Sequence, residues 1–123
     1  MTTKGRDMYG MSTHDGYTEI LNGIKIKTIN YGESTLMTEF LLDQNAVLPE
    51  HSHQHEQTGY LVKGKIKLFI GDSQKELKPG DSWNIPSNVR HKAEIIEDSV
   101  AIEVFSPCRE DYKKFVNAED IFE

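Results

Sequence analysis

The stretch that decides the fold is His-Ser-His-Gln-His-Glu-Gln, residues 51–57. Successive side chains of a β-strand point to opposite faces, so His51 and His53 are predicted to project from the same side of one strand. Two imidazoles placed in this way can reach one ion, because metal–nitrogen bonds are about 2 Å long. The stretch therefore predicts a metal site on a β-rich scaffold, although a single histidine in a strand is usually structural.

Gln57 has the same parity as these two histidines but lies far from them along a straight strand. At about 3.3 Å per residue, its Cα would be roughly 20 Å from that of His51, and no ion spans such a gap. If Gln57 is a ligand, the chain must bend between His53 and Gln57. The bend would carry His55, which is then expected to be a rim residue and not a ligand.

The wider spacing favours the metal interpretation. From His51 the sequence follows the pattern H-x-H-x3-Q-x6-G to Gly64. After fifteen intervening residues, Gly80 begins the pattern G-x5-P-x-N-x2-H, which ends at His91. In this order the two patterns resemble the two signature motifs of the cupin superfamily, over roughly residues 45–105. The resemblance implies an all-β fold, the double-stranded β-helix or jelly-roll barrel. The metal ligands that it implies are His51, His53, Gln57 and His91.

Several positions depart from the usual cupin pattern. Asn45 and Asn88 stand where the pattern usually has Gly, and Asn is the residue that next best tolerates a positive φ, so the turns are expected to survive. Gln57 stands where Glu is commonest. Three neutral imidazoles and a neutral amide leave the charge of a divalent ion uncompensated, which favours Lewis-acid chemistry on an anionic substrate over redox chemistry. Such ligands suit zinc, nickel, manganese or iron, and the sequence does not choose among them.

The remainder of the chain predicts one β-domain with a short C-terminal helix. Strands are predicted at 24–30, 34–42, 82–85, 91–96 and 100–105, with a hairpin whose arms are 58–64 and 65–71. Strands at intervals of about 8 to 12 residues indicate a sandwich or barrel. Only residues 109–122 have helical spacing. Residues 1–16 are predicted to be a flexible or loosely docked N-terminal arm, and residues 17–123 the cupin domain.

Composition excludes several classes of function. A chain of 123 residues is about one domain long. Its net charge of −6 argues against nucleic acid as a partner, because phosphate binding needs a basic surface. It has no apolar stretch approaching the roughly 18 to 20 residues of a membrane helix. The single cysteine, Cys108, cannot form an intrachain disulfide, so a reducing cytoplasm is the expected compartment.

The end of the barrel holds a second set of candidate residues. Glu103 lies in the alternating segment 100–105, and periodicity alone leaves open whether its carboxylate faces the barrel interior or solvent. Arg109 follows this strand. From the residues alone, Arg109 is expected to be a solvated charge paired with Glu110 or Asp111.

A closer resemblance assigns roles to these residues. The stretch HSHQHEQ followed by GY, then PGDSW-IP, then E-VFSP-REDY, is similar to the small cupins of pectin and alginate catabolism, which open unsaturated uronates. That resemblance implies that Glu103 and Arg109 act on the substrate and that Phe105 lines its pocket. Glu103 stands where that group typically has Asp, and Cys108 where it often has Pro. An arginine side chain can bind a carboxylate through two parallel hydrogen bonds, and a glutamate side chain can transfer a proton between two atoms of the substrate.

The function implied by this resemblance is conversion of a cyclic 4,5-unsaturated uronate to its open-chain keto form by a metal-dependent, non-redox enzyme. Small cupins of this kind are commonly homodimers, and the expected partner is a small anionic molecule, a sugar acid. Two alternatives stay open. One is an oxygen-dependent metalloenzyme of the dioxygenase type, and the other is a non-catalytic module that binds a sugar or a metal.

Overall fold

The computed structural model describes residues 8–116, and in them the chain forms eight strands and one short 3₁₀ helix. The strands are β1 (Thr18–Leu21), β2 (Ile24–Tyr31), β3 (Leu36–Leu42), β4 (Val47–His51), β5 (Glu56–Ile70), β6 (Ser73–Leu77), β7 (Ser82–Ile85) and β8 (His91–Ser106). The helix spans Glu110–Phe115. The predicted all-β fold with a short C-terminal helix is confirmed. Residues 117–122 of the predicted helical segment lie outside the described residues.

Strand β8 organises the barrel, because it pairs antiparallel with β3, β4 and β5. Strands β1 and β2 extend the sheet from β3, while β6 and β7 both pair with β5. Alternate side chains of the paired strands point inward and form the apolar core. Its buried members include Ile26, Phe40, Leu61, Ile85, Ile95 and Ala101. The long pairing of β5 with β8 brings the strand that carries Gln57 and Gly64 of the first motif beside the strand that begins with His91 of the second motif.

Strand β2 buries the alternate residues that its period predicts, namely Ile24, Ile26 and Thr28. Lys27, of the opposite parity, is also buried. Its Nζ donates to the carbonyl oxygens of Thr13 at 3.2 Å and Asp15 at 3.0 Å, so the end of the predicted N-terminal arm covers this lysine. Residues 1–7 of that arm lie outside the described residues.

The predicted hairpin with arms 58–64 and 65–71 is wrong, because β5 runs unbroken through Gly64. Gly64 has a φ of 96°, and a Cβ there would lie 2.1 Å from Ser99 Oγ. The register between β5 and β8 shifts around this position, so Gly64 forms a bulge where a turn was predicted. The predicted strands 91–96 and 100–105 are likewise parts of one continuous strand, β8.

The turns expected from asparagine are present. Asn45 has a φ of 72° and Asn88 a φ of 66°, the left-handed conformation that the usual Gly would adopt. Asn88 donates its backbone N–H to the carbonyl oxygen of His53 at 2.8 Å, which joins the turn before β8 to the loop after β4. Across residues 8–116, no helix combines the length and apolar character needed to cross a membrane.

Candidate metal centre

Three histidines meet at one end of the barrel. His51 ends β4 and pairs across the sheet with His91, which begins β8. The loop between β4 and β5 turns the chain so that His53 joins them, and the ligand nitrogens of the three residues all lie within 4.8 Å of one another. The bend predicted between His53 and Gln57 is therefore present. His55 does not join the cluster, and its ring centre lies 5.9 Å from that of His53.

Each of the three imidazoles is oriented by a backbone carbonyl. The Nδ1 atoms of His51, His53 and His91 lie 2.9 Å from the carbonyl oxygens of Pro49, His55 and Val89 respectively. A carbonyl only accepts, so each Nδ1 carries the ring hydrogen and each Nε2 keeps a lone pair. The Nε2 atom of His91 is buried and has no hydrogen-bond partner among the described residues. This arrangement leaves three lone pairs for a common ligand.

Burial favours the uncharged form of two of these rings, His53 and His91. It lowers the pKa of His53 and lowers that of His91 to about 4, and the positive charge of Arg109 acts in the same direction on both. Because a protonated imidazole cannot bind a metal, the lowered pKa values keep both histidines available as ligands at neutral pH.

Gln57 lies beside the three histidines. Its side chain is buried at the start of β5, its Nε2 donates to the carboxylate of Glu103, and its Oε1 lies 3.0 Å from Nε2 of His53. Oε1 of Gln57 and Nε2 of His53 both present lone pairs. Two donor atoms that lie about 2.1 Å from one ion, at right angles, are about 3 Å apart. The residues present therefore fit a divalent metal ion held by three imidazole nitrogens and one amide oxygen.

Glu103 faces the barrel interior, which settles the orientation that periodicity left open. Its Oε1 accepts hydrogen bonds from Gln57 and from the indole Nε1 of Trp83, the latter at 3.0 Å. Burial raises the pKa of the Glu103 carboxyl, while these two hydrogen bonds act against the rise. Sequence reasoning gave Trp83 no role. The available signal was its alternation with the buried Ile85 in β7.

Arg109 is paired with Asp111 as expected from the residues alone, but the expectation that it is solvated is wrong. Its Nε and Nη2 atoms donate to the two carboxylate oxygens of Asp111 at 3.1 and 2.8 Å, the pairing that the residues alone suggested. Its guanidinium also lies 3.7 Å from the ring centre of Tyr112 and 5.0 Å from that of Phe105. The arginine side chain is only 13% exposed. It therefore lines the interior instead of extending into solvent.

One cavity connects all of these groups. Its walls are mostly apolar, and its polar members are the three histidines, Gln57, Glu103, Arg109 and Tyr112. An apolar pocket with a few converging polar groups is typical of a small-molecule site. The arrangement can hold a metal ion in a cavity that also contains one carboxyl group, Glu103, and one guanidinium, Arg109.

Comparisons with known proteins agree with this architecture. The family model described as "Cupin domain" matches residues 38–106, more than half of the chain. The structure of KdgF from Halomonas sp. is similar with a TM-score of 0.80 and 28% identity, over 84% of this chain and 97% of that one. An RmlC-like cupin from Shewanella frigidimarina NCIMB 400 gives a TM-score of 0.83 and 25% identity, over 89% and 99%. An uncharacterized protein from Aquifex aeolicus (strain VF5) is 31% identical over 85 residues, 68% of this chain and 70% of that protein.

Proposed function

The chain belongs to the cupin domain family, and we propose that it is a metal-dependent, non-redox enzyme that opens or tautomerises a small anionic sugar. The observation that carries this proposal is the shared cavity, in which the metal-binding group lies beside one carboxyl, Glu103, and one guanidinium, Arg109. The proposed substrate is an unsaturated uronate, converted to its open-chain keto form. The likeness to the structure of KdgF supports this substrate class, as does the resemblance of the motifs to the uronate-opening cupins.

The metal would be held by Nε2 of His51, His53 and His91 and by Oε1 of Gln57. When bound, a divalent ion such as zinc, nickel, manganese or iron supplies Lewis acidity toward an oxygen of the substrate. None of these four ligand atoms carries a negative charge. The ligand set therefore leaves the charge of the ion available to an anionic substrate.

Glu103 is proposed as the acid/base. The raised pKa that burial gives its carboxyl brings proton exchange closer to neutral pH, which suits transfer of a proton between carbon and oxygen of the sugar. Arg109 is proposed as the anchor for the substrate carboxylate. Asp111 uses two of the five N–H groups of the guanidinium, so donors remain for a second carboxylate. Phe105, under this arginine, is proposed to line the pocket.

The test is to mix the metal-loaded protein with 4,5-unsaturated monomers prepared from pectin and from alginate, and to follow the loss of ultraviolet absorbance. We expect turnover with the wild-type protein and a loss of at least a hundredfold in Glu103→Gln, because an amide cannot exchange the proton. A rate equal to background with both monomers, for each of the four metals, would rule out the uronate proposal. Oxygen uptake would instead favour a dioxygenase, and thermal stabilisation by the monomers without turnover would favour a binding module.

We also propose that the chain is a homodimer in a reducing compartment such as the cytoplasm. The outer face of β3 and β5 exposes Met37, Tyr60 and Val62, which are 38, 50 and 47% accessible. Such a face is stabilised by a second apolar surface. Sedimentation equilibrium should give twice the monomer mass, and a monomer at micromolar concentration would contradict the proposal.

A further inference from the structure

The amide of Gln57 has two possible orientations that differ by a half-turn. In one its oxygen faces the histidines, and in the other its nitrogen does. Only the oxygen can bind a metal ion, because an amide N–H₂ group has no available lone pair. The side chain of Gln57 has the same shape in both orientations, so its neighbours must decide between them.

The neighbour that decides is Glu103. Its Oε1 already accepts the indole N–H of Trp83, so it presents an acceptor to the Gln57 amide, which meets it with Nε2. The opposite orientation would place two oxygens against each other at that contact, which is repulsive. Under the observed orientation, Oε1 of Gln57 faces Nε2 of His53 at 3.0 Å.

Trp83 holds Glu103 in turn. The pairings of β8 with β5 and of β5 with β7 place Glu103, Gly59 and Trp83 in one row across three strands. A Cβ on Gly59 would lie 2.1 Å from the Trp83 ring, so the indole crosses the space that a side chain would otherwise fill. By crossing there, its Nε1 reaches Oε1 of Glu103 at 3.0 Å.

We propose that Glu103 is a positioning residue for Gln57, and that Trp83 shares this role by fixing the accepting oxygen of Glu103. This function is separate from proton transfer and needs only a hydrogen-bond acceptor. It rests on the metal site of the proposed function and not on the proposed reaction. A metal-binding cupin without any uronate activity would still use it.

The contact geometry provides a test that separates the two roles of Glu103. Both hydrogen bonds reach the same atom, Oε1, so an amide that places its oxygen there can accept both. Glu103→Gln therefore keeps the positioning role while it removes the acid/base. Glu103→Leu has a similar size but no acceptor, and it removes both roles.

The experiment titrates metal-free protein with Co²⁺ and follows the visible absorption of the bound ion. We expect the Co²⁺ affinity of Glu103→Gln to stay within threefold of wild type and that of Glu103→Leu to fall tenfold or more, with an altered absorption spectrum, as for other residues that orient metal ligands. Equal unfolding midpoints of the metal-free variants would show that the loss is not a general destabilisation. A Glu103→Leu affinity within threefold of wild type would overturn the proposal. An equal loss in both variants would also overturn it, because charge and not acceptance would then be responsible.

The same substitution of Glu103, made in a Gln57→Glu variant, provides the matched control. Gln57→Glu replaces the amide by a carboxylate, which presents an oxygen in either orientation and needs no positioning. In that background Glu103→Leu should change the Co²⁺ affinity by less than threefold, because no amide orientation has to be fixed. A tenfold loss in this background would contradict the proposal. If Glu103→Leu does not fold, Trp83→Phe keeps the ring without the donor and should weaken Co²⁺ binding threefold or more, and unchanged binding would overturn the role of Trp83.

Discussion

The Nε2 atom of His53 and the Oε1 atom of Gln57 lie 3.0 Å apart, each with lone pairs directed toward the other. The hydrogen of the His53 ring is on the opposite nitrogen, where it is donated to the carbonyl of His55. Neither facing atom therefore has a hydrogen to donate, and without a cation the contact is repulsive. A metal ion between the two atoms would replace this repulsion with two ligand bonds.

Metal binding should therefore stabilise the fold. At a metal concentration a hundredfold above the dissociation constant, the free energy of unfolding should rise by about 2.7 kcal/mol, seen as an unfolding temperature several degrees higher than in chelator. Calorimetry with and without Zn²⁺ measures this shift. His53→Ala should abolish it. His14→Ala, on an exposed residue away from the cluster, should leave it unchanged, and equal shifts in the two variants would contradict the site.

The lowered pKa of His91 predicts how the metal-free protein responds to acid. Between about pH 4 and 6.5 the unfolded chain binds a proton at this residue and the folded chain does not, so the free energy of unfolding rises with pH. Stability contributed in this way is present above pH 6.5 and is lost as the pH falls toward 4. Urea denaturation at pH 4.5 and 7 measures the difference. His91→Gln should show a smaller one, and an identical pH dependence in both proteins would refute the assignment.

Arg109 should act on the substrate and not on the metal. Arg109→Lys keeps the positive charge but loses the planar group that stacks on Tyr112 and donates in parallel to a carboxylate. We expect kcat/KM for the unsaturated uronate to fall tenfold or more, mainly through KM, while the Co²⁺ affinity changes less than twofold. Lys113→Ala, in an exposed pair with Glu110, is the control and should have wild-type kinetics. Wild-type kinetics in Arg109→Lys would exclude the arginine as an anchor.

Gly59 is predicted to tolerate no side chain. Gly59→Ala places a methyl group within the Trp83 ring, and the displacement that follows should cost about 1 to 3 kcal/mol of unfolding free energy, as overpacking usually does. Gly32→Ala is the matched control, since a Cβ there meets nothing within 4 Å, and it should change the free energy by less than about 0.5 kcal/mol. Urea denaturation of the two metal-saturated variants makes the comparison. Similar free energies of unfolding for the two variants would mean that the Trp83 indole can move without a cost in stability.

Local patterns predicted the parts of this molecule that depend on local geometry. The period of two in β2 follows from how a strand presents its side chains, and it appears in the fold. The spacing from His51 to His91 was read from the resemblance to the cupin motifs, and strand parity wrongly placed His53 on the strand of His51, since β4 ends at His51. Periodicity could not orient Glu103, because the same alternation fits either face of β8. The row of Glu103, Gly59 and Trp83 was also beyond prediction from the sequence, because it depends on register between strands that are distant in the chain.

One wrong prediction and one departure from strand parity have a common cause. A turn was predicted between the arms 58–64 and 65–71, yet the positive φ of Gly64 makes a bulge in a strand that continues. Lys27 has the parity of an exposed residue, yet the backbone carbonyls of residues 13 and 15 cover it. In both cases a neighbouring segment decided the outcome, and a sequence window around the residue contains no information about that segment.

The imidazoles of this centre are aimed by main-chain oxygens, at Pro49, His55 and Val89, and every amino acid supplies the same oxygen. Substitutions that leave the backbone in place at these three positions should therefore not turn the metal donors away from their common point. These three positions can then change identity while the metal donors keep their direction. The aim of the centre is therefore set by the path of the backbone and not by the side chains at these positions.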